Sequence, residues 1–193
     1  MSDKPTLLGI SGALRRDSSN TKLMYEAARA FGPCEFVRGD IRFPLYDADL
    51  EDSQGVPAEV HRLADQILAA DAVVISTPEY NKNLPGVLKN ALDWLSRTKK
   101  APLKGKPVAI MSSAAGRAGG ERSQFSLRHC LTPFNPQVLQ GPEVMIAGAG
   151  KAFDEDGRLI DPKSFELLGK LMAALRETAG YSAAEPDQLR RSA

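Results

Sequence analysis

Cysteine is scarce in this chain of 193 residues: only Cys34 and Cys130 occur, far apart and at the spacing of neither a Cys-x-x-Cys redox pair nor a zinc half-site. They read as two free thiols in a reducing compartment. Histidine is equally rare, and the isolated His61 and His129 give no basis for a metal site. Neither sign of charge dominates, since Lys and Arg number 25, Asp and Glu 24, and the net charge is +1. That balance excludes an overall basic field for collecting nucleic acid or an anionic membrane, so any binding chemistry must come from a local site. No apolar run approaches the roughly 20 residues that cross a bilayer, and the opening Met-Ser-Asp-Lys-Pro lacks the apolar core of a signal peptide. A cytoplasmic protein without a membrane span is expected. Internal repeats, linkers and low-complexity segments are also missing. What remains is ordinary globular composition, 42% hydrophobic and 25% charged, at a length that buries a core without disulfides. One domain over residues 1–180 is expected, with 181–193, rich in Ala, Arg and Glu, as a frayed tail.

The chain alternates short apolar runs with amphipathic stretches. Thr6–Ser11 suits a strand buried on both faces of a parallel sheet. Leu23, Met24, Ala27, Ala28 and Phe31 recur at the spacing of one helix face, with Asn20 and the two serines before it available as a cap. Gly32-Pro33 stops that helix, and Cys34–Val37 is a short second strand. A polar connection through Pro44 and Asp52 leads to a helix opened by Pro57, and Ala72–Ile75 is a buried, β-branched strand. A helix opened by Pro85, a strand at Pro107–Met111 and a helix over Glu121–Leu131 follow. Gln137–Leu139 and Val144–Ile146 supply a fifth strand interrupted at Gly141-Pro142, and a last helix begins near Pro162. Five such alternations imply a parallel sheet with right-handed crossovers and helices on both faces.

In an open parallel sheet, ligands bind beyond the carboxyl ends of the strands, where the winding reverses. Three loops qualify. The first, Ser11–Asn20, joins a strand to a helix N-terminus, where amides and the helix dipole favour an anion. Ser11, Ser18 and Asn20 have the reach for hydrogen bonds, and Arg15 or Arg16 can add a charge-assisted contact; an ordinary capped turn has the same composition. There is no G-x-G-x-x-G for a dinucleotide and no Gly-Lys-Ser/Thr for a nucleoside triphosphate, which leaves a mononucleotide phosphate. The second loop, Thr77–Gly86, offers Tyr80 and exposed amides to a flat heteroaromatic ring, or is a proline-bounded turn whose Tyr packs on the surface. The third, Ser112–Gly120, is small and flexible enough for a ligand to approach its backbone, as a wall on the other side of such a ring or a mobile lid. Ser11 lies in Gly-Ile-Ser-Gly rather than a G-x-S-x-G elbow, which disfavours a serine hydrolase.

Assembled, these segments resemble the NADPH-dependent FMN reductase family of flavodoxin-like proteins, which includes bacterial quinone and chromate reductases. The likeness runs from about Leu7 to Leu175. Gly12–Asn20 is similar to the family's Gly-Ser-Leu-Arg phosphate loop followed by Ser-x-Asn, and Pro78–Asn81 with Leu84-Pro85-Gly86 and Leu88–Leu95 is similar to its flavin-ring loop and following helix. Gly105-Lys106-Pro107, Ser112-Ser113 and Gly119-Gly120 resemble its third flavin loop. The resemblance implies an α/β fold of flavodoxin-like, doubly wound type, with a five-stranded parallel sheet of order 2-1-3-4-5. It also implies non-covalent FMN, with Arg15, Ser18 and Asn20 at the phosphate and ribityl chain, Pro78, Glu79, Tyr80 and Asn81 at the isoalloxazine ring, and Ser113 near it. Where the family often has Ser this chain has Ala13, which removes a phosphate hydrogen bond unless Ser11 compensates.

The activity so implied is hydride transfer from NADPH or NADH through FMN to a small-molecule acceptor. That acceptor is expected to be a quinone, with chromate, ferric chelates or azo compounds as adventitious ones. No acid–base residue is required, and donor and acceptor sharing one ring face implies ping-pong kinetics. A flavodoxin-type electron carrier is the rival, although carriers are usually strongly acidic and this chain is balanced; a flavin-binding module with little turnover is the third reading. A lone Trp on a helix usually packs inward, but relatives use the helix carrying Asp93 and Trp94 at a dimer interface, so an oligomer contact is expected of these two rather than catalysis, in a homodimer or homotetramer. Arg117 is a candidate for the extra phosphate of NADPH, or a solvated loop residue.

Overall fold

The protein's structure is a computed structural model that describes residues 4–182. Its strands are β1 (Thr6–Ser11), β2 (Glu35–Gly39), β3 (Ala72–Thr77), β4 (Pro107–Ser113), β5 (Gln137–Val138) and β6 (Val144–Ile146). The helices are α1 (Ser19–Phe31), α2 (Ala48–Gln54), α3 (Ala58–Ala69), α4 (Gly86–Arg97), α5 (Glu121–Leu131) and α6 (Pro162–Thr178). All strand pairings are parallel, in the order β2-β1-β3-β4-β5, with β6 also pairing with β4. The expected doubly wound flavodoxin-like sheet is therefore present, with its fifth position shared by two short strands. β5 lies against Pro107 and Val108 and β6 against Met111–Ser113, with the cis Gly141–Pro142 peptide between them.

Alternation along the central strands sends side chains to opposite faces. Leu8 and Ile10, Val73 and Ile75, and Val108 and Ile110 pack with Leu63 and Ile67 of α3 and Leu88 and Leu95 of α4. Leu7, Val74, Ala109 and Met111 pack instead with Leu23 and Met24 of α1 and Leu171 and Met172 of α6. All six residues of β3 are buried, as a strand covered on both faces requires. Because the chain moves outward from β1 to β2 and then crosses back to β3, winding reverses between β1 and β3, and the loops after these strands become neighbours.

Three local expectations need adjustment. The second strand runs two residues further than Val37, to Gly39. The polar connection contains α2, a helix with no buried residue, which explains why apolar periodicity gave no sign of it. Asp47 caps α2 by accepting from the Asp49 N–H at 3.0 Å, and the Gly55 N–H closes it on Glu51 C=O at 2.7 Å. Trp94, expected at an oligomer contact, is fully buried within its own chain. Its Nε1 donates to Pro44 C=O at 2.8 Å, and its ring meets Tyr46 edge-on at 5.0 Å. Asp93 is partly exposed and pairs with Lys89 one turn earlier. Most of the expected tail, 183–193, lies outside the described residues. No helix among the described residues is long and apolar enough to cross a membrane.

Candidate functional site

Loop 1 begins where β1 ends. The Gly12 N–H donates to Ser76 C=O at 2.8 Å, tying the loop to β3. Ser11 is buried, and its Oγ accepts from Thr21 Oγ1 at 3.0 Å, which fastens the loop's start to the first turn of α1. Ser18 is the N-cap, extended at φ −72° and ψ 131°, and its Oγ accepts from the Asn20 N–H at 3.2 Å. The first turn of α1 contains no acidic residue, so its amides and dipole remain suited to an anion. Arg15 and Arg16 are exposed and diverge. Arg15 lines a cavity of about 460 Å³ with Asp17, Ser19 and Lys22 of the α1 side and Ala115 and Gly150 opposite. Arg16 lines a different cavity on the other side of the loop.

Asn20 joins the loops. It is 1% exposed; its Nδ2 donates to Ser113 C=O at 2.8 Å, and its Oδ1 accepts from Ser76 Oγ at 2.9 Å and from the Ser113 N–H at 3.0 Å. One amide thus holds α1, β3 and β4 in register at the carboxyl edge. The hydroxyl of the same Ser113 is buried without any hydrogen-bond partner among the described residues, in a position where nearly every buried polar group finds one.

Loop 2 turns tightly. Tyr80 and Asn83 exchange both backbone hydrogen bonds, at 3.0 and 3.1 Å, and the two residues between them, Asn81 and Lys82, lie at φ 51° and 65°. This is the two-residue hairpin geometry with both central residues left-handed, easy for Asn and strained for Lys. Tyr80 is half exposed at the turn's base. Pro78 is buried, and its carbonyl accepts from Ser123 Oγ of α5 at 2.7 Å. Glu79 accepts from Arg122, at 3.2 Å from both its N–H and its guanidinium. The ring loop is therefore braced by the first turn of α5.

Loop 3 is held from below. Ser112 Oγ donates to Gly119 C=O at 2.7 Å and accepts from Gln124 Nε2 at 2.8 Å. Gln124 Nε2 also donates to Val144 C=O on β6. Gly119 and Gly120, at φ 60° and 98°, lie against backbone and core. A Cβ on the first would sit 2.7 Å from Met145 C, and one on the second 2.8 Å from Ser112 Cβ, so only glycine fits. Arg117 is exposed on this loop.

The fold thus gathers Ser11, Arg15, Ser18, Asn20, Pro78–Asn81 and Ser113 at one edge of one sheet. Sequence reasoning missed Thr21, Ser76, Ser123 and Gln124, which hold the loops in place. Ser76, Ser112 and Ser123, all fully buried, carried one available signal: hydroxyls where apolar residues would otherwise be expected. A larger cavity, about 980 Å³, lies elsewhere, between the later turns of α4 and the end of α5; it contains none of the three loops.

Comparison with known proteins identifies the family. Residues 5–151 match the family model described as NADPH-dependent FMN reductase. The chain is 45% identical over 178 residues to the NAD(P)H-dependent FMN reductase of Pseudomonas aeruginosa, covering 91% of this chain and 96% of the relative. It is 41% identical over 178 residues to a quinone reductase of Escherichia coli, covering 90% and 95%. The solved structure of a flavoenzyme NAD(P)H:(acceptor) oxidoreductase from Paracoccus denitrificans superposes with a TM-score of 0.81 at 34% identity, over 91% of this chain and 97% of that one. The family match over most of the chain, the relatives' nearly full-length identity and the three gathered loops lead to one assignment: this chain is an oxidoreductase of the NADPH-dependent FMN reductase family.

Proposed function

We propose that the chain binds FMN non-covalently across the three loops and passes hydride from NAD(P)H to a quinone-type acceptor. The observation that carries this reading is the Asn20 clamp. It brings a helix N-terminus suited to a phosphate alongside the buried, partnerless hydroxyl of Ser113. A phosphate at the start of α1, with a hydroxyl-bearing chain running past Ser113, fits those two features without displacing a protein hydrogen bond.

Arg15 and Ser18 hold the phosphate, Arg15 by charge from the rim of its cavity and Ser18 by setting the helix cap. Asn20 and Ser11 act through position, since their polar atoms already bond to protein groups. Pro78–Asn81 flank the ring, with Tyr80 as the stacking face and the left-handed turn presenting backbone donors and acceptors to its polar edge. When bound, the flavin supplies the site that accepts hydride and later returns it. The protein orients the two partners in turn, and no side-chain acid or base is assigned. The assembly is a homodimer or homotetramer in the cytoplasm, with a small-molecule acceptor.

Purified protein should be yellow and release intact FMN on denaturation, and anaerobic NADPH should bleach it rapidly, with a quinone restoring the colour. Release of FAD, or no flavin uptake from added FMN, would overturn the cofactor assignment. FMN-loaded protein that NADPH and NADH both leave oxidised would overturn the reductase assignment.

A further inference from the structure

On the far side of loop 1 from Arg15 lies a second concavity, of about 560 Å³, lined by Leu14, Arg16, Arg38, Asp40 and Arg42. It sits over the carboxyl ends of β1 and β2, next to the proposed flavin edge but outside it. Three guanidinium groups meet there with one carboxylate, in a chain whose overall charge is +1. That carboxylate is spent locally: Asp40 accepts from the Arg42 backbone N–H at 3.1 Å and from its guanidinium at 3.2 Å. Arg42, half exposed, also donates to Leu14 C=O at 3.0 Å, so its fork has two partners at the cavity rim. The side chains of Arg16 and Arg38 form no hydrogen bond or ion pair among the described residues.

Two unpaired guanidinium groups beside a third that is anchored form a site for a dianion, because the planar fork matches phosphate bidentately. The volume decides what carries that phosphate. At about 560 Å³ it exceeds what a lone anion fills and lies in the range of small-ligand sites. Leu14, 41% exposed, adds an apolar wall, and guanidinium planes stack on heteroaromatic rings. A purine nucleoside bearing a phosphate monoester satisfies all of these features.

Resting on the reductase reading above, we propose that Arg16, Arg38 and Arg42 bind the adenosine 2′-phosphate of the nicotinamide donor and so set a preference for NADPH over NADH. The cavity's one carboxylate, Asp40, is paired with Arg42 at 3.2 Å, so it does not face an entering phosphate alone. The assignment places the phosphate contact at this cavity and leaves Arg117 solvated. FMN's own phosphate is served from the other side of the loop, by the α1 N-terminus and Arg15.

The test uses the full chain loaded with FMN. Wild type should show a higher kcat/KM with NADPH than with NADH. Arg38→Ala, the substitution least able to disturb the fold because the Arg38 side chain has no hydrogen bond or ion pair among the described residues, should raise the KM for NADPH by about tenfold, the loss of one charge-assisted contact, while kcat and the NADH constants stay put. Arg16→Ala and Arg42→Gln should act in the same direction, and Arg117→Ala should not. Independently of turnover, calorimetry should show 2′,5′-ADP binding more tightly than 5′-ADP or inorganic phosphate, with the advantage lost in Arg38→Ala. Equal use of NADPH and NADH by wild type would overturn the proposal. So would an unchanged nucleotide ratio in all three cavity variants, or inorganic phosphate binding as tightly as 2′,5′-ADP, which would make the cavity a simple anion site. If neither nucleotide reduces the flavin, the reductase reading fails. In that case the calorimetric comparison alone decides the cavity: an Arg38-dependent preference for 2′,5′-ADP supports it, and none refutes it.

Discussion

Asn20→Ala tests the clamp on which the candidate site depends. The substitution removes three hydrogen bonds, to Ser113 C=O, the Ser113 N–H and Ser76 Oγ. Asn20 is 1% exposed, so water does not freely replace it. A net hydrogen bond is worth about 1 kcal/mol, and buried groups left unpaired cost somewhat more. Ala returns about 0.5 kcal/mol through its better helix propensity. The net loss is therefore about 2–3 kcal/mol, which for a domain of this size lowers Tm by roughly 5–10 °C. FMN affinity should fall in parallel, because the loops after β1 and β4 are no longer tied. Calorimetric melting without flavin, alongside fluorescence titration with FMN, reads both effects. Asn20→Asp sharpens the test. It keeps an acceptor for Ser76 and the Ser113 N–H but turns a donor into an anion facing Ser113 C=O. Burial and that carbonyl would raise its pKa above the unfolded value of about 3.9. The variant would then be less stable than Asn20→Ala at neutral pH. It should regain stability on acidification, since a raised carboxyl stabilises the fold below its unfolded pKa and loses that contribution as pH rises through the folded one. An Asn20→Ala protein that melts within about 2 °C of wild type and binds FMN equally well would refute the clamp.

Glu26 is a buried acid: burial raises its pKa, but hydrogen bonds from Arg29, the Leu159 N–H and Arg158, with the charge of Arg29, outweigh that and hold it below the ordinary carboxylate range. Its stabilisation is then complete above the unfolded pKa and fades as pH falls through the lowered folded value. Glu26→Gln should lose about 2 kcal/mol at pH 7, a discounted buried-pair cost because Arg158 is partly solvated, and should flatten the acid side of the stability curve in urea titrations. Lys82→Gly should stabilise the ring-loop turn by about 0.5–1 kcal/mol by relieving a left-handed lysine; a lower urea midpoint would contradict the strain. Arg15→Ala should weaken FMN binding by about tenfold or more through loss of a charge-assisted phosphate contact with Tm unchanged in the flavin-free protein. An unaltered fluorescence titration would place Arg15 in solvent. Gly120→Ala, whose Cβ would press on Ser112 Cβ at 2.8 Å from a backbone at φ 98°, should lose flavin binding and stability together, read by absorbance after gel filtration and by melting.

The layered fold was legible because it is written in apolar runs of local period. Ala72–Ile75 and Pro107–Met111 announce buried strands, and the stripe from Phe165 to Leu175 announces α6. The same residues fixed where ligand loops must open, since a parallel sheet presents all of its carboxyl ends on one side. α2 escaped because none of its residues is fully buried and Leu50 alone packs against the core, although its flanking Asp47 and Gly55 are ordinary cap signals. Trp94 was misplaced for a different reason. Its partner, the carbonyl of Pro44, lies fifty residues earlier, and no local pattern distinguishes a tryptophan bonded inward from one waiting for another subunit.

The ties that shape the candidate site were invisible on the same ground. Asn20 reads in sequence as a cap or a ligand-facing amide, whereas its partners lie 56 and 93 residues away. The interruption of the fifth strand joins these levels. After Gly141–Pro142 the chain resumes as β6 beside Met111–Ser113, the upper end of β4. There Ile146 C=O accepts from the Ala114 N–H at 3.0 Å, and Val144 C=O accepts from Gln124. A continuous strand paired along Pro107 and Val108 alone would leave the base of loop 3 without an edge partner. The broken one supplies it, and the following turn carries Ala149 and Gly150 back to the wall of the Arg15 cavity. The interrupted strand signal in the sequence therefore marks the element that completes the site: a strand split between two registers with β4 cannot show one uninterrupted apolar run, and it is the split that lets it reach the loop.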